Sequence, residues 1–308
     1  MPSEVEKLLA KLSRQADAIT EEIDARQSAL DTRLSKAERD LFERLRVLFD
    51  RLEFDGSRIA NTAANLLLLT QVDGIFEAWR RDTMPELLRD FVGQLIATAA
   101  LTAAFYSDFD GQTVDGALND NRLLYAALGV NTLGDIIPGS ILADIGASAQ
   151  VRQDIKAVVL GGIKSGQTLR QFTKAIKDFV TGTPGADGRV SRYWRTYAYD
   201  LFNQAAEVKN EEFRQALGLQ WFIYVGDIIK DSREFCIKKA GKVFATIEAD
   251  TEWPHDPDLI GKSSGIPYTP RIDRGRWNCR HRIRYISEEL AVQLDPKKVN
   301  FVKKKYNI

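Results

Sequence analysis

The cysteines and histidines of this 308-residue chain are Cys236, His255, Cys279 and His281, two of each, and all four lie between positions 236 and 281. Thiolate and imidazole are the groups that zinc gathers into a four-coordinate site, and two of each is a standard structural set. Cys279 and His281, two apart, would point to the same side of a strand and approach one ion. Zinc is therefore the cofactor to expect on Cys236, His255, Cys279 and His281. The spacing C-x18-H-x23-C-x-H follows no short zinc signature, so two other readings stand beside it. The thiols could be small buried apolar groups, with His255 and His281 exposed. Alternatively, Cys236 and Cys279 form one disulfide if the chain meets an oxidising compartment.

The same window is basic. Arg271, Arg274, Arg276, Arg280, Arg282 and Arg284 stand against Asp273 alone. Guanidinium forks grip phosphate bidentately and stack on aromatic rings such as Trp277, so these six residues offer a nucleic-acid or partner contact. The plainer reading pairs half of them with acidic groups elsewhere. The tail KKVNFVKKKYNI adds five lysines, either extending the patch or ending the chain loosely. Two common catalytic signatures are missing: no G-x-x-x-x-G-K-[ST] and no H-E-x-x-H is present. General-base work would fall on Asp227 and Asp231, which have no visible partner, so no enzyme is expected. A metal-dependent hydrolase on the same corner would need an open coordination position, which four protein ligands would close.

The elements that must position these groups are mainly helical. Residues 3–54 lack proline and glycine, and Val5, Leu8, Leu12, Ala16, Ile19, Ile23, Leu30, Leu34, Leu41, Leu45, Leu48 and Leu52 recur at three-and-four spacing. That predicts one long amphipathic helix or a hairpin of two, forming an arm over 1–60. From 61 to 140 two or three helices are expected, broken at Gly74 and Met84-Pro85. Turn formers between Ser107 and Pro138 mark a domain boundary. A third segment, 141–308, opens with a helix over 149–161 stopped by a glycine pair. A Thr168–Gln171 capping box, a flexible TGTPGADG loop and a long helix ending at Gly218 follow. LQWFIYVG, KVFAT and HRIRYIS then read as strands of a small sheet. The fold class is thus mainly α, with long N-terminal helices, a helical middle and a small α+β C-terminal domain carrying a short antiparallel sheet.

Lys plus Arg equals Asp plus Glu at 43 each, so no whole-molecule field draws the chain to DNA or an anionic membrane. Hydrophobic residues at 44% and charged residues at 28% suit a soluble globular protein. The N-terminus lacks the pattern of a signal peptide, which predicts use without secretion. FVGQLIATAALTAAFYS, 91–107, is short and alanine-rich for a bilayer span and reads as a buried helix.

Tyr224-x-Gly226-Asp227, Asp231-Ser232-Arg233-x-Phe235-Cys236, Gly241-Lys242-Val243-Phe244, Pro267 and Asn278-Cys279-Arg280-His281 occur in that order. This series resembles the C-terminal motifs of the phage Mu protein F-like head morphogenesis proteins, the phage minor head proteins. In that family a D-x-R-x(2)-H/C segment precedes a G-K-V type glycine and then an N-C-R-C/H corner. The helices from Gly166-Gln167-Thr168-Leu169 through Arg195-Thr196 are similar in shape, and the resemblance covers roughly 140–285. Cys236 stands where histidine is often found, and His281 where cysteine is frequent. Both swaps exchange one zinc-competent group for another. The resemblance implies a non-enzymatic, low-copy virion protein made in the host cytoplasm. It implies action in capsid assembly at or near the portal vertex, in an oligomeric particle. Its partners would be portal or other capsid proteins and packaged DNA, with no membrane. It also marks Asp227, Asp231, Arg233, Gly241, Lys242 and Asn278 as motif positions. The alternative from another class is a DNA-binding module using the Arg271–Arg284 cluster.

Overall fold

The computed structural model describes residues 4–106, 111–260, 268–276 and 278–308; Ser107, Pro267, Trp277 and the side chains of Val5 and Leu8 lie outside them. The chain is mainly helical, with long N-terminal helices, a helical middle and a small antiparallel sheet near the C-terminus. Helix α1 (Glu4–Arg46) is one rod rather than a hairpin, and Leu12, Ile19, Ile23, Leu30, Leu34 and Leu41 are buried along it. A two-residue hairpin, β1 (Phe54–Asp55) and β2 (Arg58–Ile59), leads into α2 (Ala63–Ala100). The expected breaks at Gly74 and Pro85 do not occur. Proline inside a helix costs about 3 kcal/mol, but Met84, Leu87, Leu88 and Phe91 are all buried around Pro85, and that packing holds the helix continuous. By length and composition, the helical run Ala63–Tyr106 is long and apolar enough to cross a bilayer; 44% of its apolar window is buried in protein.

The turn-rich stretch read as a domain boundary holds two short helices, α3 (Gly111–Asn119) and α4 (Arg122–Leu128). Next come α5 (Ile141–Ala147), α6 (Ala149–Lys164) and α7 (Leu169–Thr181). Helix α6 runs through its glycine pair, because Gly162 lets Phe172 approach so closely that a Cβ there would lie 2.4 Å from the ring. The capping box of Thr168 and Gln171 starts α7 as expected. The loop after it is a hairpin of β3 (Gly182–Thr183) and β4 (Ala186–Asp187). Helix α8 (Arg189–Leu217) ends at Gly218 in the left-handed region, φ +66°. Strand β5 (Trp221–Val225), α9 (Glu234–Lys239), β6 (Val243–Ala245) and α10 (Thr246–Glu252) follow. The chain closes with α11 (Pro270–Asp273), β7 (Arg282–Ile286), α12 (Glu288–Leu294) and α13 (Pro296–Tyr306).

Two compact units result, neither a continuous stretch, so they divide the chain differently from the three consecutive segments read from sequence. One comprises Arg26–Gly93 and Asp135–Ala198, a helical bundle. In it Trp79 Nε1 donates to Ala37 O (3.0 Å), Phe91 meets Trp194 edge-on at 5.6 Å, and the Ser191 amide donates to Glu38 (2.7 Å). The other comprises Met1–Ala25, Gln94–Gly134 and Tyr199–Ile308 and carries the sheet, in the order β6-β5-β7. Phe222 sits opposite both Phe244 and Tyr285, so alternation sends two rows of side chains to two cores. Phe222, Tyr224, Ile283 and Tyr285 join Phe235, Trp253 and Phe213 on one face. Trp221, Ile223, Val225 and Ile286 join Leu12, Ala16, Val299 and Val302 on the other. The lysine-rich tail is therefore docked helix, not a loose end: Lys298 pairs with Glu248, Lys303 with Glu288 and Lys305 with Glu252.

Candidate metal centre

Three segments of the sheet-bearing unit deliver the site. Strand β5 presents Tyr224 from its inner row, α9 carries Cys236, and the loop between α11 and β7 carries Cys279 and His281. That loop is tightly wound, with Arg274, Arg276 and Asn278 at φ +51°, +66° and +55°. Non-glycine residues there are strained and persist only when their surroundings hold them. Several bonds do so: Arg233 Nη1 and Tyr268 OH donate to Gly275 O (3.0 Å) and Arg274 O (2.6 Å). The Asn278 amide donates to Asp200 (2.9 Å), and the Cys279 amide to Arg276 O (3.1 Å). Cys279 thus precedes β7 rather than lying in it, and loop geometry, not strand alternation, sets it beside His281.

Cys236 Sγ and Cys279 Sγ are 3.8 Å apart and free, so no disulfide joins them. With a ring nitrogen of His281 they form a buried group whose ligand atoms all lie within 4.8 Å of one another, a group that could hold a metal ion. The geometry fits zinc: Zn–S bonds of about 2.3 Å at the tetrahedral angle set two sulfurs about 3.8 Å apart. Other features fit as well. Among the described residues, the buried His281 Nε2 has no hydrogen-bond partner. A Cβ on Gly275 would come within 2.6 Å of Cys236 Sγ, so the glycine keeps the space open. Gly226, at φ +140°, leaves room for the imidazole, which stacks on the Tyr224 ring at 5.2 Å. The Tyr224 hydroxyl faces both sulfurs at 3.4 and 3.3 Å. His255 does not join the group; it is exposed on the turn Trp253–His255, where Trp253 is the residue turned into the core.

The electrostatics favour one thiolate. The hydrogen bond from Cys236 holds Cys279 well below the ordinary thiol range, with His281 and the Arg274 guanidinium assisting. The same bond, with burial, pushes Cys236 up, and burial pushes the Tyr224 phenol well above its usual value. A metal ion would displace the proton that the two sulfurs share.

Half of the arginines are turned inward rather than forming an outward grip. Arg274, Arg282 and Arg284 are buried at 2%, 0% and 0% exposure. Arg274 Nη1 donates to Glu207 (3.0 Å) and to His281 O (2.8 Å), so it braces the histidine's backbone. Arg282 reaches the same carboxylate at 3.5 Å. Arg271 pairs with Glu211 and with Asp250 (3.0 Å), and half-buried Arg276 covers the Tyr268 ring at 5.4 Å. Arg280 is the exposed one of the six, 3.7 Å from Asp24. Helix α8 supplies the buried partners of Arg271, Arg274 and Arg282, namely Glu207 and Glu211. Sixty or more positions separate these α8 carboxylates from the arginines they meet, so nothing local in the sequence signals them.

Of the other motif residues, Asp227, Asp231 and Lys242 are exposed. Gly241, at φ +74°, donates its amide to Tyr224 O (2.7 Å), and the Tyr224 amide donates to Lys242 O (3.1 Å), extending the β5–β6 pairing through backbone alone. Asp231, Arg233, Asn278 and Arg280 line one open cleft of about 480 Å³, with Asp24 and Tyr199. Sequence reasoning missed Gly275 and Glu207 as parts of the corner; the glycine between two arginines is a signal for the first, and the second has none. Compared with protein families, curated proteins and solved structures, the chain matches none.

Proposed function

We propose that the chain is a phage or prophage minor head protein acting in capsid assembly at or near the portal vertex, and that Cys236, Cys279 and His281 hold a structural zinc ion. The observation that carries this reading is convergence. Tyr224, Gly226, Arg233, Cys236, Gly241, Asn278, Cys279 and His281, eight of the positions of the motif resemblance, build one corner although the sequence spreads them over residues 224–281. The role is architectural. Metal and arginine–carboxylate pairs stiffen a knob whose outer cleft presents Asp231, Arg233, Asn278 and Arg280 to a capsid or portal partner. Hydrolytic use of the ion is disfavoured because its ligands are about as buried as any core residue. The DNA-binding alternative rested on six outward arginines, and burial removes three of them.

Quantitative mass spectrometry of purified virus particles from the source tests the proposal. A low, symmetric ratio of this chain to the portal protein is expected. Its absence from particles that contain the other head proteins would overturn the reading.

A further inference from the structure

Three protein donors leave a zinc ion one short of the four that a closed structural site supplies. Among the described residues, no other cysteine, histidine or carboxylate joins Cys236, Cys279 and His281. What fills the fourth position decides whether the site is a sealed staple or an ion open to water. The Tyr224 hydroxyl is placed to fill it. Its oxygen lies 3.4 Å from Cys236 Sγ and 3.3 Å from Cys279 Sγ. Zinc bonded at about 2.3 Å to sulfur and about 2.0 Å to oxygen, at the tetrahedral angle, sets each sulfur about 3.5 Å from that oxygen. A phenol O–H donates to one sulfur at a time, whereas this oxygen is nearly equidistant from both.

A second observation concerns the space between these atoms. A Cβ on Gly275 would meet Cys236 Sγ at 2.6 Å, Cys279 Sγ at 3.1 Å and the Tyr224 hydroxyl at 3.5 Å, so two sulfurs and this oxygen bound the room that the glycine leaves. Tyr224 is fully buried and held from several sides. Its ring stacks on His281 and meets Trp253 edge-on at 5.5 Å, while its amide and carbonyl are bonded to Lys242 and Gly241. The charges also balance. Two thiolates and a phenolate around a doubly charged ion leave one negative charge. Buried Arg274 interacts with both Cys279 and Tyr224, and it shares Glu207 with buried Arg282, so one carboxylate leaves a guanidinium charge to answer the site.

We propose that Tyr224 is the fourth ligand, bound as phenolate, so that Cys236, Cys279, His281 and Tyr224 together close the ion to water and to substrate. The phenol proton leaves to solvent as the metal takes its place. This inference rests on the zinc reading above and does not depend on a virion role.

Ultraviolet difference absorption of the full chain, before and after a chelator withdraws its metal and zinc is returned, tests the assignment. A tyrosinate band is expected to appear with one equivalent of zinc and to be absent from Tyr224→Phe. That variant keeps the stacked ring and should bind zinc about a hundredfold or more weaker in competition with a chelator. With cobalt(II) in place of zinc, azide should alter the visible spectrum of Tyr224→Phe, whose fourth position is open, and leave that of the wild type unchanged. One equivalent of zinc without a tyrosinate band, or wild-type affinity in Tyr224→Phe, would overturn the fourth ligand and leave the three-residue site standing. A wild-type chain that binds no zinc would overturn the metal centre itself, and this inference with it. If Tyr224→Phe does not fold, the tyrosinate band of the wild type decides.

Discussion

Cys236, Cys279 and His281 meet because Gly275 and Gly226 have no side chains, and because Arg274 ties its guanidinium to both Glu207 and the His281 carbonyl. Three results are expected at this scale. Protein purified without chelator or affinity tag should contain close to one zinc per chain by metal analysis. Cys279→Ser and His281→Ala should lose it, while His255→Ala keeps it, because His255 is exposed outside the group. Gly275→Ala should lower zinc affinity by about tenfold or more, since its Cβ would press on Cys236 Sγ. Retention of a full equivalent by Cys279→Ser would end the three-ligand assignment. Part of this corner was legible: the crowding of cysteine and histidine into one window pointed to Cys236, Cys279 and His281. His255 was grouped with them by proximity in sequence alone, and proximity along a chain does not decide which way a turn faces.

At the scale of elements, α8 is the least legible and the most consequential. Its charged residues look like a solvated face, yet Lys209 is buried and donates to Ala117 O and Asp120 O, both at 2.6 Å, and to Glu212 (2.8 Å). Lys209→Met should therefore destabilise by about 3–5 kcal/mol, because it orphans a buried carboxylate and two carbonyls. Urea unfolding monitored by circular dichroism measures this, and a loss below about 1 kcal/mol would contradict the network. Helix α1 carries a second buried charge. Burial pushes the Glu38 carboxyl up to about 7 from its ordinary 4.5, despite the Ser191 amide that donates to it. The folded chain thus keeps a proton that the unfolded chain has already lost. The favourable contribution is full below about pH 4.5 and declines as pH rises to about 7, by roughly 3 kcal/mol. Glu38→Gln should flatten that decline, so the stability difference between variant and wild type should grow from pH 5 to pH 8. An unchanged difference would show Glu38 to be ionised throughout. Strands β5, β6 and β7, the α7 cap and the α8 stop could all be read from sequence, because short aromatic and β-branched runs, a capping box and a terminal glycine are local signals. Continuity of α2 past Pro85 could not, because the packing around it opposes the local signal.

For the whole molecule, charge balance at 43 against 43 and the burial of Arg274, Arg282 and Arg284 predict little affinity for naked DNA. Each phosphate contact adds about −0.9 to the log–log salt slope. With Arg280 the exposed residue of the six, the slope for a short duplex should be no steeper than about −2. A steep slope that collapses in Arg280→Gln and Arg276→Gln variants would restore the nucleic-acid reading. Sequence by itself determined the mainly helical class, the small C-terminal sheet and the residue types able to take a metal, because periodicity and side-chain chemistry are local properties. Only the tertiary structure decided which of those residues meet, that Arg274, Arg282 and Arg284 turn inward, and that the lysine-rich tail is a docked helix. Those outcomes depend on the carboxylates and apolar faces that distant segments bring into contact.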